Sequence, residues 1–298
     1  MNSDILIVGA GCAGLTAAIY AARAGKSVTI LENEGVGGQI STSPRVENYP
    51  GVKSISGIEF SDRLFEQACE LGVDLQLARA EGIEKTDGGF TVKTEFGDLT
   101  GKAVILATGC RHRRLGLTEE DRFAGKGVSY CAVCDGAFYK GRTVAVVGGG
   151  SSALQSALML AEICEKVYLI HRRDSYRAEK QLVSRINAAA NIEPVLNAAV
   201  ISLNGADKLE SVTVTQNGSE TRQINVEGLF VCVGQQADNA AFAELVALDE
   251  SGYIVAGEDC KTSCEGVFAA GDCRTKQVRQ LTTAAADGTV AALAACQI

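Results

Sequence analysis

Short unbroken apolar runs recur along this chain, each followed by a knot of glycines and then by a stretch of small residues. Residues 5–8 form the first run, and apolar side chains at consecutive positions predict a strand covered on both faces. Gly9-Ala-Gly-Cys-Ala-Gly14 comes next, and residues 15–24 have helical composition with their smallest residues where a sheet would press. Gly25 stops that helix, and residues 27–31 read as a second strand ending at Glu32. The order then returns: a strand over 143–147, Gly148-Gly-Gly-Ser-Ser-Ala153, an alanine-rich helix over 153–163, a strand over 167–170, and His171. Both copies keep the same spacing from the last fingerprint position to the residue after the second strand, Gly14 to Glu32 and Ala153 to His171.

Each copy closes on another apolar strand that ends in glycine, at Gly109 and at Gly234. The expected fold is α/β, with two Rossmann-like doubly wound dinucleotide-binding domains. The tail from Gln235 onward is too short for a core of its own. It holds an apolar stretch over 266–272 and an alanine-rich helix over 281–295, the missing last strand and helix of the first domain. The second domain is therefore expected as an insertion: residues 1–112 with 240–298 form the first domain and 113–239 the second.

Composition narrows the function classes. Of 298 residues, 46% are hydrophobic and 21% charged, which is ordinary for a globular protein and excludes disorder. A formal charge of −8 with no basic stripe argues against a nucleic-acid partner. No apolar run is long enough to span a membrane, and the N-terminus shows no secretory pattern, so a cytoplasmic protein is expected. The 11 cysteines lack framework spacing and read as mostly reduced thiols.

In the first fingerprint Gly9 permits the tight turn, Gly11 lets backbone approach a pyrophosphate, and Gly14 lets helix and strand pack closely. Glu32 stands where a carboxylate accepts hydrogen bonds from an adenosine ribose. In the second fingerprint, Gly148, Gly150, Ser151, Ser152 and Ala153, the acid is replaced by His171, Arg172 and Arg173, with Arg177 one turn on. Those cations suit a ribose 2′-phosphate, so the site reads as NADP(H), the alternative being a solvated basic face.

Between the fingerprints lies Cys131-Ala-Val-Cys-Asp135. Two thiols at this spacing reach disulfide range within one turn of chain, and a dithiol bracketed by two nucleotide pockets is the wiring of a disulfide reductase. A zinc site would need two more ligands, for which Cys260 and Cys264 are the close pair, and no metal is expected. Asp135 reads equally as a proton shuttle for a thiolate or as a helix cap. Cys12, Cys69, Cys110, Cys164, Cys232, Cys273 and Cys296 read as small hydrophobes, and His112 as a surface residue of a basic linker.

With these residues in hand, the chain resembles the low-molecular-weight thioredoxin reductases over essentially its full length. The resemblance rests on the first fingerprint, Gly37-Gly-Gln-Ile40, Val46-Glu-Asn-Tyr-Pro-Gly51, Ala107-Thr-Gly109, Cys131-Ala-Val-Cys-Asp-Gly136, His171-Arg-Arg-Asp-Ser-Tyr-Arg177, Gly266-Val-Phe-Ala-Ala-Gly-Asp272 and Arg279-Gln-Leu-Thr-Thr283. It implies an FAD domain, an inserted NADPH domain that carries the dithiol, and a homodimer. Gly38, Gln39, Asn48, Asp272, Arg279 and Gln280 would contact FAD, and the helix from Leu281 would aim its positive end at the flavin. Cys134 would be the flavin-proximal thiol, Cys131 the attacking thiol and Asp135 the acid. Departures from the family pattern are Cys12 in the phosphate loop, Val278 before Arg279, and the pair Ser151 and Ser152.

The leading expectation is an NADPH-dependent thioredoxin-disulfide reductase whose partner is thioredoxin or a thioredoxin-like protein. A flavin-dependent oxidase of small dithiols would have no use for the arginine cluster, and a flavin-binding redox sensor would not need both fingerprints and both cysteines. Because one flavin must serve both nicotinamide and dithiol, the inserted domain is expected to rotate about the crossover stretches 111–116 and 234–239.

Overall fold

The computed structural model describes residues 2–43 and 45–298. The first segment carries β1 (Asn2–Val8), α1 (Cys12–Arg23), β2 (Val28–Glu32), α2 (Gly57–Glu70), β3 (Asp74–Leu77), β4 (Ala80–Thr86), β5 (Gly89–Thr94) and β6 (Leu99–Leu106). From β7 (Arg111–His112) the chain passes through α3 (Glu120–Phe123), β8 (Val128–Ser129), α4 (Ala132–Asp135), β9 (Thr143–Val147), α5 (Ser151–Ala161), β10 (Lys166–Ile170), α6 (Lys180–Ala188) and β11 (Ile192–Val195). There follow β12 (Ala198–Asn204), β13 (Ser211–Gln216), β14 (Glu220–Asn225), β15 (Gly228–Val231), β16 (Gln235–Gln236), β17 (Val267–Ala269) and α7 (Leu281–Ala295). Two compact units result, Met1–Arg111 with Gln236–Ile298, and His112–Gln235.

In the first unit β3, β2, β1, β6 and β17 lie side by side and parallel, with Ile5 opposite Val28 and Ala103, and Val267 opposite Val104. Alternate residues serve opposite faces because successive side chains of a strand point to opposite sides. Ile5, Ile7, Ile30 and Ile105 meet the helix residues Leu15, Ala17, Ala291 and Ala292. Leu6, Val8, Leu31 and Leu106 face Phe90 and Val92 of the β4–β5 hairpin, with Phe242, Val246 and Ile254. The tail supplies the final parallel strand and helix, as its pattern implied. Helix α7 packs so closely on α1 that a Cβ on Gly288 would lie 2.3 Å from the Ala13 carbonyl oxygen.

The second unit repeats the strand order: β11, β10, β9, β15 and β8 are parallel, with Val144 opposite Val167 and Gly228. One face packs on Leu154, Ala157 and Leu160 of α5 and on Leu182 and Ile186 of α6. The other is covered by the antiparallel β12–β14 meander through Val212, Val214 and Ile224. Among the described residues, no helix is long and apolar enough to cross a membrane.

Candidate dinucleotide and dithiol sites

The first fingerprint folds as the glycines require. Gly9 has φ 108°, and a Cβ there would lie 2.4 Å from the Ala107 carbonyl oxygen. A Cβ on Gly14 would meet the Gly9 oxygen at 1.9 Å, so the loop is tight enough to exclude any side chain at either position. Gly11 is the N-cap of α1, with no side-chain cap bond to the helix's first N–H groups. Glu32, buried at the end of β2, accepts from the Ala10 N–H at 2.8 Å through Oε2 and from the Glu34 N–H at 2.8 Å through Oε1. Its carboxylate thus braces the fingerprint loop. Gly37 donates to the Ala10 carbonyl at 2.8 Å, bringing Gly38 and the 3₁₀ turn Gly38–Thr42 against the same loop.

A second group of expected residues gathers at the start of α7. Gln280 is the N-cap, closed by a capping box with Thr283, and its Oε1 accepts from Asn48 Nδ2 at 3.2 Å. Arg279 donates to the Asp272 carbonyl at 3.3 Å and stacks its guanidinium 4.2 Å from the Tyr253 ring centroid. Gln39 donates to the Cys110 carbonyl. Cys12 Sγ lies 3.5 Å from the Leu281 carbonyl, so the first turns of α1 and α7 are neighbours. Two helix N-termini side by side bring the positive ends of two helix dipoles together, which favours an anion.

Asp272 is presented by the 3₁₀ turn Gly271–Cys273 that follows β17. Its Oδ1 is buried with no hydrogen-bond partner among the described residues, and burial pushes its pKa up. A buried polar atom without a partner costs free energy unless a ligand supplies one. The glycine cradle, the paired helix N-termini and this orphaned oxygen all fit a dinucleotide carrying a hydroxylated chain.

In the second unit a Cβ on Gly148 would lie 2.3 Å from the Cys232 carbonyl oxygen, and Gly150 caps α5, which begins with Ser151, Ser152 and the buried Ala153. His171 leaves β10 and lays its ring on the fingerprint, where a Cβ on Gly149 would fall 2.1 Å from Cε1. Its Nε2 is buried without a partner among the described residues, as is the hydroxyl of Tyr176, whose ring stacks on His171 at 5.7 Å. Burial holds the His171 pKa down, helped by the neighbouring arginines and opposed by a backbone hydrogen bond with Ser175. Arg177 donates its N–H to the Gly149 carbonyl at 2.7 Å, which fixes this arginine stretch beside the fingerprint. Arg172, Arg173 and Arg177 make no ion pair among the described residues, a set of cations left open for an anionic ligand.

Cys131 and Cys134 form a disulfide, with Cα atoms 5.3 Å apart. Cys134 is exposed and Cys131 half-buried, and the Cys134 N–H donates to Cys131 Sγ at 3.2 Å. Cys131, and not Asp135, is the N-cap of α4. The Asp135 carboxylate instead accepts from Ser129 Oγ at 2.6 Å, and burial raises its pKa, opposed by that hydrogen bond. Asp135 occupies the N-cap position of the following 3₁₀ turn, Gly136–Tyr139, but its side chain makes no cap bond there, and it stands as a half-buried acid next to a disulfide.

Other expectations are corrected. His112 is not a surface residue: it is half-buried, stacks on Tyr130 at 5.5 Å, and burial lowers its pKa. Cys69 is exposed rather than packed, whereas Cys12, Cys110, Cys164 and Cys273 are buried as small hydrophobes. Sequence reasoning missed Ser129, Tyr176 and Asp287. Asp287 carried a legible signal, a lone acid inside a helix of small apolar residues; Ser129 and Tyr176 carried none beyond lying near a motif.

The sequence profile of the pyridine nucleotide-disulphide oxidoreductase family matches residues 3–288. A 34.2 kDa protein in the rubredoxin operon of Clostridium pasteurianum is 39% identical over 294 residues, covering 98% of this chain and 96% of that protein. Thioredoxin reductase of Treponema pallidum is 39% identical over 294 residues, covering 98% and 95%. The crystal structure of thioredoxin reductase from Streptococcus pyogenes superposes with a TM-score of 0.95 at 37% identity, covering 99% of this chain and 97% of that one. With its two doubly wound units, two fingerprints and one disulfide between cysteines three apart, the chain belongs to the pyridine nucleotide-disulphide oxidoreductases, and within them to the low-molecular-weight thioredoxin reductases, flavoprotein oxidoreductases that couple a nicotinamide nucleotide to a disulfide.

Proposed function

We propose that this protein is an NADPH-dependent thioredoxin-disulfide reductase with FAD as its flavin, acting in the cytoplasm as a homodimer. The observation that carries the reading is the Cys131–Cys134 disulfide, open to solvent at Cys134 and accompanied by a half-buried acid. Gly9, Gly11, Gly14, Glu32, Gly38, Gln39, Asn48, Asp272, Arg279 and Gln280 would hold FAD, and Gly148, Gly150, Ser151, Ser152, Ala153 and His171 the NADPH backbone. Arg172, Arg173 and Arg177 select the 2′-phosphate by charge-assisted hydrogen bonds, which is why they stand unpaired. Nine free cysteines suit a reducing compartment.

The bound cofactors supply an electron pair. Two electrons and two protons convert the Cys131–Cys134 disulfide to two thiols, with Asp135 holding a proton beside the leaving sulfur. Cys131, as thiolate, attacks a disulfide sulfur of thioredoxin; that S–S bond breaks, a mixed disulfide forms, and the released thioredoxin thiolate takes a proton. Cys134 then attacks Cys131 Sγ, releasing dithiol thioredoxin and re-forming the starting disulfide.

The test is anaerobic. The purified protein should be yellow, be bleached by NADPH, and recover its colour on addition of oxidised thioredoxin with two new thiols per thioredoxin. A protein that binds no FAD, or that stays bleached with thioredoxin while oxygen restores the colour, would overturn the reading. Light scattering checks the dimer.

A further inference from the structure

Ser129 ends β8 beside Phe230 of β15 and is 5% exposed, so water does not readily replace what its hydroxyl does. Three groups converge on that one oxygen. The Cys131 N–H donates to it at 3.1 Å, Asp135 Oδ2 lies 2.6 Å away, and the Cys131 carbonyl oxygen lies 3.4 Å away. A serine hydroxyl has one hydrogen to give, and here two acceptors compete for it. The 2.6 Å separation is the length of a hydrogen bond to an ionised carboxylate.

We propose that Ser129 is the positioning residue of the dithiol turn, its single hydrogen pointing to Asp135 Oδ2 when the acid is ionised and to the Cys131 carbonyl when the acid is protonated. In the second state the carboxyl O–H donates to Ser129 Oγ, so Asp135 gains or loses a proton without leaving its place beside the disulfide. The proton moves on and off Asp135 only; no bond to carbon or sulfur changes at Ser129. This rests on the reading of Asp135 as the proton donor.

The surroundings leave this control to Ser129. Asp135 follows Cys134 directly in the chain, and the groups that act on its carboxyl are Ser129 of β8 and Tyr139, whose phenol is raised first by burial and then by the Asp135 charge. Helix α5 and the turn after it meet this segment at Gly136 with Leu160, Met159 and Ile163, all apolar. No lysine, arginine or histidine bonds the Asp135 carboxylate among the described residues.

The test is an infrared titration of the protein as purified, following the protonated-carboxyl band that Asp135→Asn removes. Ser129→Ala withdraws a charge-assisted hydrogen bond from the ionised form and only a weaker neutral one from the protonated form, so the midpoint should rise by about one pH unit, the difference between the two. Ser129→Thr keeps the hydroxyl and should leave the midpoint unchanged. Should Ser129→Ala not fold, Ser129→Cys, a weaker donor, should still raise it. An unmoved midpoint in Ser129→Ala or Ser129→Cys, or a shift in Ser129→Thr as large as in Ser129→Ala, would overturn the proposal. The titration needs neither nucleotide nor partner. A raised infrared midpoint with an unmoved alkaline limb of turnover would uphold Ser129 and instead overturn the acid role of Asp135.

Discussion

Replacing Asp287 by asparagine tests whether a buried charge cluster holds the flavin-side turn. Asp287 lies in α7 and is 6% exposed, and Arg274 is 2% exposed. The carboxylate receives Arg274 Nε at 2.9 Å and Nη2 at 2.8 Å, Lys276 Nζ at 2.7 Å, and the Gly271 N–H at 2.9 Å. Gly271 opens the turn that presents Asp272, so one side chain secures both cations and the backbone of the site. Asp287→Asn keeps the shape but leaves Lys276 without its ion-pair partner and Arg274 with only the exposed Glu258, 3.8 Å away. Removing one partner of such a cluster costs about 3–5 kcal/mol. At ~2–4 °C per kcal/mol for a unit of this size, the melting temperature of the first unit should fall by roughly 6–20 °C, and FAD uptake should weaken with it. Burial opposes the Asp287 charge, but Arg274 and Lys276 win and hold its carboxyl below the usual range. The contribution is therefore present above the ordinary carboxylate pKa and lost as pH falls through the lower folded value, so parent and variant curves should converge only in strong acid. Scanning calorimetry with and without added FAD measures both effects. The matched control is Asp287→Leu with Arg274→Met and Lys276→Met, which removes every charge and should lie closer to the parent than Asp287→Asn does. A single variant within about 1 kcal/mol of the parent, or a triple variant worse than the single, would refute the argument.

Two predictions follow from the second unit. Arg172→Ala with Arg173→Ala should collapse the preference for NADPH over NADH: two charge-assisted contacts at about 1.5–3 kcal/mol each amount to two to four decades in kcat/KM, and equal use of both nucleotides by the unmutated protein would count against these residues. The two cysteines should be unequal, with Cys134→Ser still bleached by NADPH but passing no electrons onward, and Cys131→Ser unable to complete exchange with thioredoxin; full disulfide reductase activity in either variant, measured with thioredoxin, would show that this pair is not the redox centre.

Much of this protein was legible before any coordinates. Consecutive apolar residues bounded by glycines report a strand buried on both faces whatever it packs against, and so the parallel strands β1, β2, β6, β9, β10 and β15 stand near where the pattern placed them. Glycine at positions 9 and 14 is demanded by backbone contacts within a few residues or with the next strand, and a two-residue gap between cysteines brings their sulfurs together within one turn. These are local constraints, and a chain carries local constraints in its order. The β4–β5 hairpin and the β12–β14 meander escaped because their alternation is broken by exposed polar residues on both sides, so the signal of one buried face is diluted. The Asp287 cluster, the orphaned Asp272 oxygen and the Ser129 hydroxyl under Asp135 were decided only by tertiary structure. The first and the last join groups whose spacing in the chain follows no helical or strand period, the Asp272 oxygen is stranded by burial alone, and the low dielectric that makes such charges and hydrogen bonds strong exists only once the layers of each unit have closed around them.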